Sequence, residues 1–446
     1  MARKPPSSSA VGRFLRLGGL MGRVGASVAA ERAVDFAFSP PGQEARRTEN
    51  LVRNARRVVA TLGEMKGAVM KVGQMLSLHE SVLPPEVAEV LQLLQKEAPR
   101  VPDEVMRYEV EGSLGAGVGE LFAEFEREAF AAASIGQVHR ARLHDGRWVA
   151  VKVQYPLIHE IVAADLKNLK RLLQALFGLV FDVDFEPIWG ELRDRLLEEL
   201  DYRHEAENMR QMARLHDGLP EISIPEVVAE LSTERVLTMT LVEGIPPNEA
   251  CSDRHPRELK DRWGQVLLEF QLRGLFEHRL LHADPNLANF AFREDGGVVV
   301  YDFGCLKRIP PALAEGYAAL VRAVLDERRE DVPGILRDLG VYKKGHVALP
   351  RAVIDPYLDL FAEMFRASPP YAFGEDEDLY AKILELGSAN WSQSTDMRFP
   401  EDIIFIDRSL AGHFGNLTRL GAKGPWRDLL ARYARPAPEI RDREAG

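Results

Sequence analysis

The chain has 446 residues and only two cysteines, Cys251 and Cys305. Two thiols so far apart build no disulfide framework and no cysteine-based metal site, so a reducing compartment fits. No apolar run approaches the roughly twenty residues of a membrane span; the longest is Ala175 to Phe181. A formal net charge of -11 argues against general nucleic-acid binding. The first acid is Glu31, preceded by Arg3, Lys4, Arg13, Arg16 and Arg23, but Gly18, Gly19, Gly22 and Gly25 interrupt any signal-peptide core. Two readings of residues 1–43 fit: a loosely ordered tail, or a basic element in peripheral contact with an anionic membrane.

What is present is organised around Leu281 to Leu306. Asp284 is followed five positions later by Asn289, and the run Val298 to Val300 leads into Asp302-Phe303-Gly304. Phosphoryl transfer needs an aspartate near the attacking oxygen, and an amide and a second aspartate on Mg²⁺; this order of residues supplies all three. Asp284 is thus the candidate catalytic residue, with Asn289 and Asp302 the candidate metal ligands.

The complementary half of such a site lies upstream. Residues 125–153 read as strand, small-residue loop, strand, turn and strand, the last being Trp148 to Val153 with Lys152 near its end. This is the order of a kinase nucleotide roof, with Lys152 bridging the ATP phosphates. Where a kinase has G-x-G-x-x-G, this chain has Ala131, Ala132, Ala133 and Ser134. Each Cβ narrows the dihedral range and holds the backbone off phosphate.

A kinase also needs a helix carboxylate to hold that lysine. Over Trp189 to Asn208 the spacing predicts a helix on which Asp201, Glu205 and Asn208 share a polar face. Glu205 is the first choice as partner of Lys152, and a solvated acidic face is the competing reading. Ile222 to Val228 and Arg235 to Val242 read as the last two strands of the small lobe. Thr240, Leu241, Val242 and Glu243 then form the hinge whose backbone meets adenine.

Towards the N-terminus, Leu62, Met65, Val69, Val72 and Leu76 make one buried helical stripe. Lys71 and Gln74 lie off it, on a face that is solvated by default. Pro84-Pro85 breaks this segment, a second amphipathic helix follows (Val87, Val90, Leu91, Leu94), and Pro102-Asp103-Glu104 opens a third.

With these pieces in order, the chain resembles the UbiB/ADCK (AarF-domain) atypical kinases. Lys71-Val72-Gly73-Gln74 looks like the family's KxGQ signature, Ala131 to Ser134 like its alanine-rich loop, and Glu199-Leu200-Asp201 like its ExD motif. His282 to Asn289 and Asp302 to Gly304 are similar to its catalytic and metal-binding segments. The resemblance implies an α+β, two-lobed protein-kinase-like fold with an N-terminal helical extension carrying the KxGQ motif. The expected divisions are 1–43, a helical extension over 44–120, an N-lobe over 121–243 and a C-lobe over 244–446. It further implies ATP and Mg²⁺ as cofactors, and makes Lys71, Gln74, Glu199 and Asp201 site residues. On a regular helix Glu199 and Asp201 would point about 200° apart, so both can face the nucleotide only if that helix starts or bends there, or if one of them acts on the extension.

Some features depart from a conventional protein kinase. His282-Ala283-Asp284 lacks the arginine that would receive an activation-loop phosphate. Only Cys305 to Ile309 separate Gly304 from Pro310-Pro311, where a new helix begins, so there is no long peptide-docking segment. The acceptor expected is therefore water, a lipid or a quinone precursor, in keeping with the family's support of ubiquinone and isoprenoid-lipid metabolism. Residues 350–434 read as amphipathic helices (Leu358, Phe361, Met364, Phe365; Leu410, Phe414, Leu417, Leu420) and contain no span, so a cytoplasmic, peripherally membrane-associated enzyme is expected. Two readings of other classes stand beside this one: a nucleotide-binding pseudokinase scaffold and a small-molecule phosphotransferase.

Overall fold

The structure is a computed structural model. It describes residues 101–435 apart from 134, 157, 160–165, 167–169, 171–188, 191–192, 195–196, 344, 366–369, 376–378, 380–381, 384, 387–396 and 399. The expected helices over 44–98, Lys71, Gln74 and Ser134 lie outside the described residues.

In chain order the principal elements are α1 (Asp103–Leu114), β1 (Glu124–Phe125), β2 (Ala131–Ala133), β3 (Gly136–Arg142) and β4 (Trp148–Gln154). Then come α2 (Tyr202–Leu215), β5 (Ile222–Ser223), β6 (Val236–Thr240), α3 (Arg257–Leu272), β7 (Leu280–His282), β8 (Phe290–Phe292), β9 (Val298–Val300) and β10 (Leu306–Arg308). Four further helices follow: α4 (Pro311–Leu325), α5 (Arg351–Met364), α6 (Glu401–Leu420) and α7 (Trp426–Tyr433). The chain divides into two compact units, Met1–His204 with Val228–Thr240, and Glu205–Val227 with Leu241–Gly446. One division falls inside α2 and another inside the stretch read as the hinge.

The first unit is built on an antiparallel sheet in the order β1-β3-β4-β6, with β2 added to β3. Strand alternation sorts β4 cleanly: Val149, Val151 and Val153 are buried in a core with Met106 and Val110 of α1, while Ala150, Lys152 and Gln154 take the other face. As expected, α1 starts after Pro102 with Asp103 and Glu104 in its first turn, where the helix dipole favours acids. The small-residue stretch is no open loop. Ala131, Ala132 and Ala133 pair with Val138, Gln137 and Gly136 as a short strand. Alanine has little bulk to keep it from the ladder, and Gly136 makes the tight return: a Cβ there would sit 2.1 Å from the Val153 carbonyl oxygen.

Ile222 to Val228 does not form one strand of that sheet; only its end meets β6, where the Val228 N–H donates to the Thr238 carbonyl at 2.8 Å. Only Ile222–Ser223 is strand, and it pairs parallel with Val298–Val299 in the three-stranded sheet β5-β9-β8 of the second unit. Two residues carry too little pattern to name a partner strand, and the ladder is fixed instead by the Val298 N–H on the Glu221 carbonyl. The rest of the second unit is helical. Leu275, Leu281, Ile309, Tyr317, Ile354, Leu358 and Ile406 share one core beneath the β7-β10 ribbon. The amphipathic helices expected after residue 350 are present as α5, α6 and α7.

Candidate active site

In the first unit the lysine strand is positioned by its neighbours. Lys152 pairs with Val138 on one side and Leu237 on the other, and Val138 pairs in turn with Ala131. Residues directly opposite in a ladder share a face, so Ala131, Ala133 and Lys152 stand on the same side of the sheet. Lys152 is only 8% exposed, and its ammonium lies 5.0 Å from the centroid of the Tyr202 ring. Desolvated beside an aromatic face, such a charge is attracted by the ring quadrupole.

Glu199 and Asp201 lie where the helix is interrupted. Glu199 and Leu200 form a turn, Asp201 is non-helical, and α2 starts at Tyr202. The Asp201 side chain accepts the Arg203 N–H at 2.9 Å, a cap that serves one of the orphan donors of the new helix. A helix continuous from Trp189 to Asn208 is thus replaced by a helix start, and Asp201 caps α2 instead of sharing a face with Glu205. The turn is tied to the lysine strand by Gln154, two residues past Lys152. Its amide donates to the Leu200 carbonyl at 2.8 Å and the Glu234 carbonyl at 3.2 Å.

In the second unit, Asp284, Asn289 and Asp302 are brought together. The Asn286 N–H donates to the Asp284 carboxylate at 3.1 Å, and the Asn289 amide donates to the Asp284 carbonyl. The Tyr301 N–H donates to the Asn289 carbonyl at 2.9 Å, joining the loop to the strand that ends in Asp302. The Gly304 N–H donates to Asp302 Oδ1 at 3.0 Å. His282 is 1% exposed and donates through Nε2 to the Asp302 carbonyl at 2.7 Å. Its ring meets Phe303 edge-on at 5.6 Å.

Two supports were not legible as such. Asn208 on α2 donates to the Phe303 carbonyl at 2.9 Å, so the helix turn that carries Glu205 also braces the Asp302-Phe303-Gly304 turn. Glu205 is 5% exposed, which sets aside the solvated acidic face. Tyr301 donates from its phenol to the Val242 carbonyl at 2.8 Å, tying Val242, in the stretch read as the hinge, to the residue before Asp302. Burial, and then the nearby Glu243 charge, push the Tyr301 phenol up to about 12, so it remains a donor at any working pH. A tyrosine beside a valine strand gave no sign of either contact; only its place next to Asp302 hinted at a role.

The donor set suits a hard divalent cation. With the Asn289 nitrogen committed to a carbonyl, its oxygen and the Asp302 carboxylate are the hard ligands on offer. No group of three or more His, Cys, Asp or Glu gathers as a metal cage among the described residues. Mg²⁺ takes one or two protein oxygens and completes its shell with phosphate and water, so the Asn289 and Asp302 oxygens would be enough to hold it. After Gly304 the chain returns at once: Leu306, Lys307 and Arg308 pair antiparallel with His282, Leu281 and Leu280, and α4 begins at Pro311.

Similarity to known proteins identifies the family. The ABC1 atypical kinase-like domain family matches residues 93–335. The rat atypical kinase COQ8B, mitochondrial, is 33% identical over 436 residues, covering 96% of this chain and 81% of the rat protein. The Caenorhabditis elegans atypical kinase coq-8, mitochondrial, is 30% identical over 367 residues, 80% of this chain and 48% of the worm protein. Among solved structures, the Mycobacterium tuberculosis protein Rv3197 in its complex with erythromycin aligns with a TM-score of 0.64 at 29% identity, over 89% of this chain and all of that one. The fold is kinase-like with mixed helix and sheet, and the chemistry of such enzymes is phosphoryl transfer. The chain belongs to the UbiB/ADCK family of atypical kinases, those with an ABC1 domain.

Proposed function

We propose that this atypical kinase uses ATP and Mg²⁺ and acts on a non-protein acceptor in support of ubiquinone or other isoprenoid-lipid metabolism. The observation that carries the reading is the mutual anchoring of Asp284, Asn289 and Asp302 on one loop and one turn. In this reading Lys152 holds the ATP phosphates and Glu205 pairs with the lysine. Asp284 accepts the proton of the attacking hydroxyl, and Asn289 and Asp302 would hold Mg²⁺. The cation, when bound, supplies neutralisation of charge developing on the phosphoryl oxygens. Ala131 to Ser134 cover the nucleotide, and Thr240 to Glu243 present backbone to its base. Lys71, Gln74, Glu199 and Asp201 complete the site in the roles the family resemblance implies.

The five residues between Gly304 and Pro310 give no surface on which a peptide could dock, which favours water, a lipid or a quinone precursor as acceptor. The bulky, lipophilic erythromycin held by the mycobacterial relative points the same way. Among the described residues no helix is long and apolar enough to cross a membrane. The proposed contact with anionic lipid is therefore peripheral, through the basic residues 1–43, on the cytoplasmic or equivalent face.

The test is Mg²⁺-dependent ATP hydrolysis by the full chain, with and without anionic liposomes, beside Asp302→Asn. Turnover that rises with lipid and falls by about 10²-fold or more in the variant is expected, since one electrostatic stabiliser is commonly worth that much. Nucleotide binding without turnover would replace this reading with the scaffold. A phosphorylated small hydrophilic product would replace it with a small-molecule phosphotransferase.

A further inference from the structure

The loop that carries Asp284 is gripped from below by a helix more than a hundred residues later in the chain. On α6, Ser409, Gly412 and Asn416 recur at i, i+3 and i+7 and so form one stripe. Ser409 and Asn416 are 0% and 5% exposed. Ser409 donates to the His282 carbonyl at 3.1 Å, and Asn416 donates to the Pro285 carbonyl at 2.7 Å. Between them, a Cβ on Gly412 would lie 2.3 Å from Pro285 Cγ, so only glycine lets the helix backbone come this close to the loop. From α3, the buried Gln271 amide donates both to the same His282 carbonyl, at 3.2 Å, and to the Ser409 hydroxyl.

We propose that Ser409, Gly412 and Asn416 are positioning residues for phosphoryl transfer, setting the place of Asp284 by fixing the carbonyls on either side of it. The inference rests on the reading of Asp284 as the catalytic aspartate. α6 has ample apolar means of docking, through Ile403, Ile406, Leu417 and Leu420. Burying an amide and a hydroxyl adds desolvation cost that apolar residues would avoid. Both polar groups nevertheless meet the two carbonyls that bracket Ala283-Asp284. Together with the Ala283 N–H on the Cys305 carbonyl and the Asn289 amide on the Asp284 carbonyl, they tie every residue from His282 to Pro285 through its backbone. With no such grip, the Asp284 carboxylate would wander on the scale of an ångström, and a misplacement of that size costs about 10²-fold in rate.

The test compares Ser409→Ala, Ser409→Thr, Asn416→Leu and Asp284→Asn in the full chain, measuring kcat and KM for MgATP and the thermal unfolding midpoint. The expected result is a fall in kcat of about 10- to 100-fold in Ser409→Ala and Asn416→Leu, with KM changed by less than about twofold. Ser409→Thr, which restores the hydroxyl, should recover most of the rate. Lowered unfolding midpoints with kcat intact, while Asp284→Asn is inactive, would overturn the inference and leave the reading of Asp284 standing. Full activity in Asp284→Asn would overturn both. If the α6 variants fail to fold, Gln271→Leu tests the grip on the His282 carbonyl from α3, and an unchanged kcat there would equally overturn it.

Discussion

Lys152 stands in the middle of a ladder, paired on both sides by strands and backed by a valine core. Asp284 stands on a loop, with its backbone tied by side chains from Gln271, Asn289, Ser409 and Asn416. The lysine is thus placed by repetition: each strand residue helps to fix the next, and no single side chain decides. The aspartate is placed by a handful of individual hydrogen bonds. A ladder fails through its backbone, whereas a tethered loop fails through the loss of one polar atom.

The sharpest way to break the ladder is Gly136→Val. Its Cβ would fall on the Val153 carbonyl, so β3 and β4 must part next to Lys152. A loss of about 3 kcal/mol or more is expected on the scale of overpacked sites, read as a lowered denaturant midpoint together with weakened nucleotide binding. An unchanged midpoint would show that the sheet edge can shift freely.

Both halves bury a histidine whose imidazole is held down by desolvation, His139 in the ladder and His413 beside the tethered loop. His413, next to Gly412 on α6, is fully buried against Phe290, and desolvation first, then the nearby His282, hold its imidazole down at about 3. Because the folded value is depressed, the unfolded chain binds the proton first as pH falls below the ordinary value near 6.5. Stability is therefore complete above about pH 6.5 and is lost progressively down to about pH 3. Between pH 6.5 and 5 the loss approaches about 2 kcal/mol. His413→Leu should flatten that part of the stability curve, measured by urea unfolding at a series of pH values; a slope unchanged in the variant would assign it to other groups. His216, held down at about 4 mainly by burial, supplies part of the remaining slope.

The smallest effect expected is at the rim of the first unit. Arg203, the residue whose N–H Asp201 caps, also reaches Glu234 at 2.7 Å, but both side chains are well exposed. Such pairs contribute about 0–1 kcal/mol. Glu234→Gln should therefore leave the unfolding midpoint within a degree or two, and a larger drop would make this pair part of what holds the ExD turn.

The two halves also differed in how far they could be read from sequence. Alternation along Trp148 to Val153, the Pro102 helix start and the valine strand before Asp302 are local patterns, and the structure follows them. Ala131 to Ala133 read as a loop and form a short strand, because three alanines between a strand and a glycine suit either. Ile222 had no local cue for its partner, and a regular helix over Glu199 to Asp201 missed the aspartate as a cap. Ser409, Gly412 and Asn416 sat inside what read as an ordinary amphipathic helix. The polar side chains of Ser409 and Asn416 made sense only once a carbonyl from 127 or 131 residues earlier stood opposite. Sequence periodicity shows which face of a helix is buried; it does not show what that face meets.

The lateness of α6 has a consequence for how this protein is made. Synthesis proceeds at about 5–20 residues per second, so the loop carrying Asp284 emerges roughly 6 to 26 seconds before Asn416 exists to hold it. Through that interval the nascent chain carries every motif from Lys152 to Gly304 without the helix that tethers its aspartate. A product ending near residue 400 would remain in that state permanently, complete by any motif inventory and lacking two of the four side chains that hold the loop.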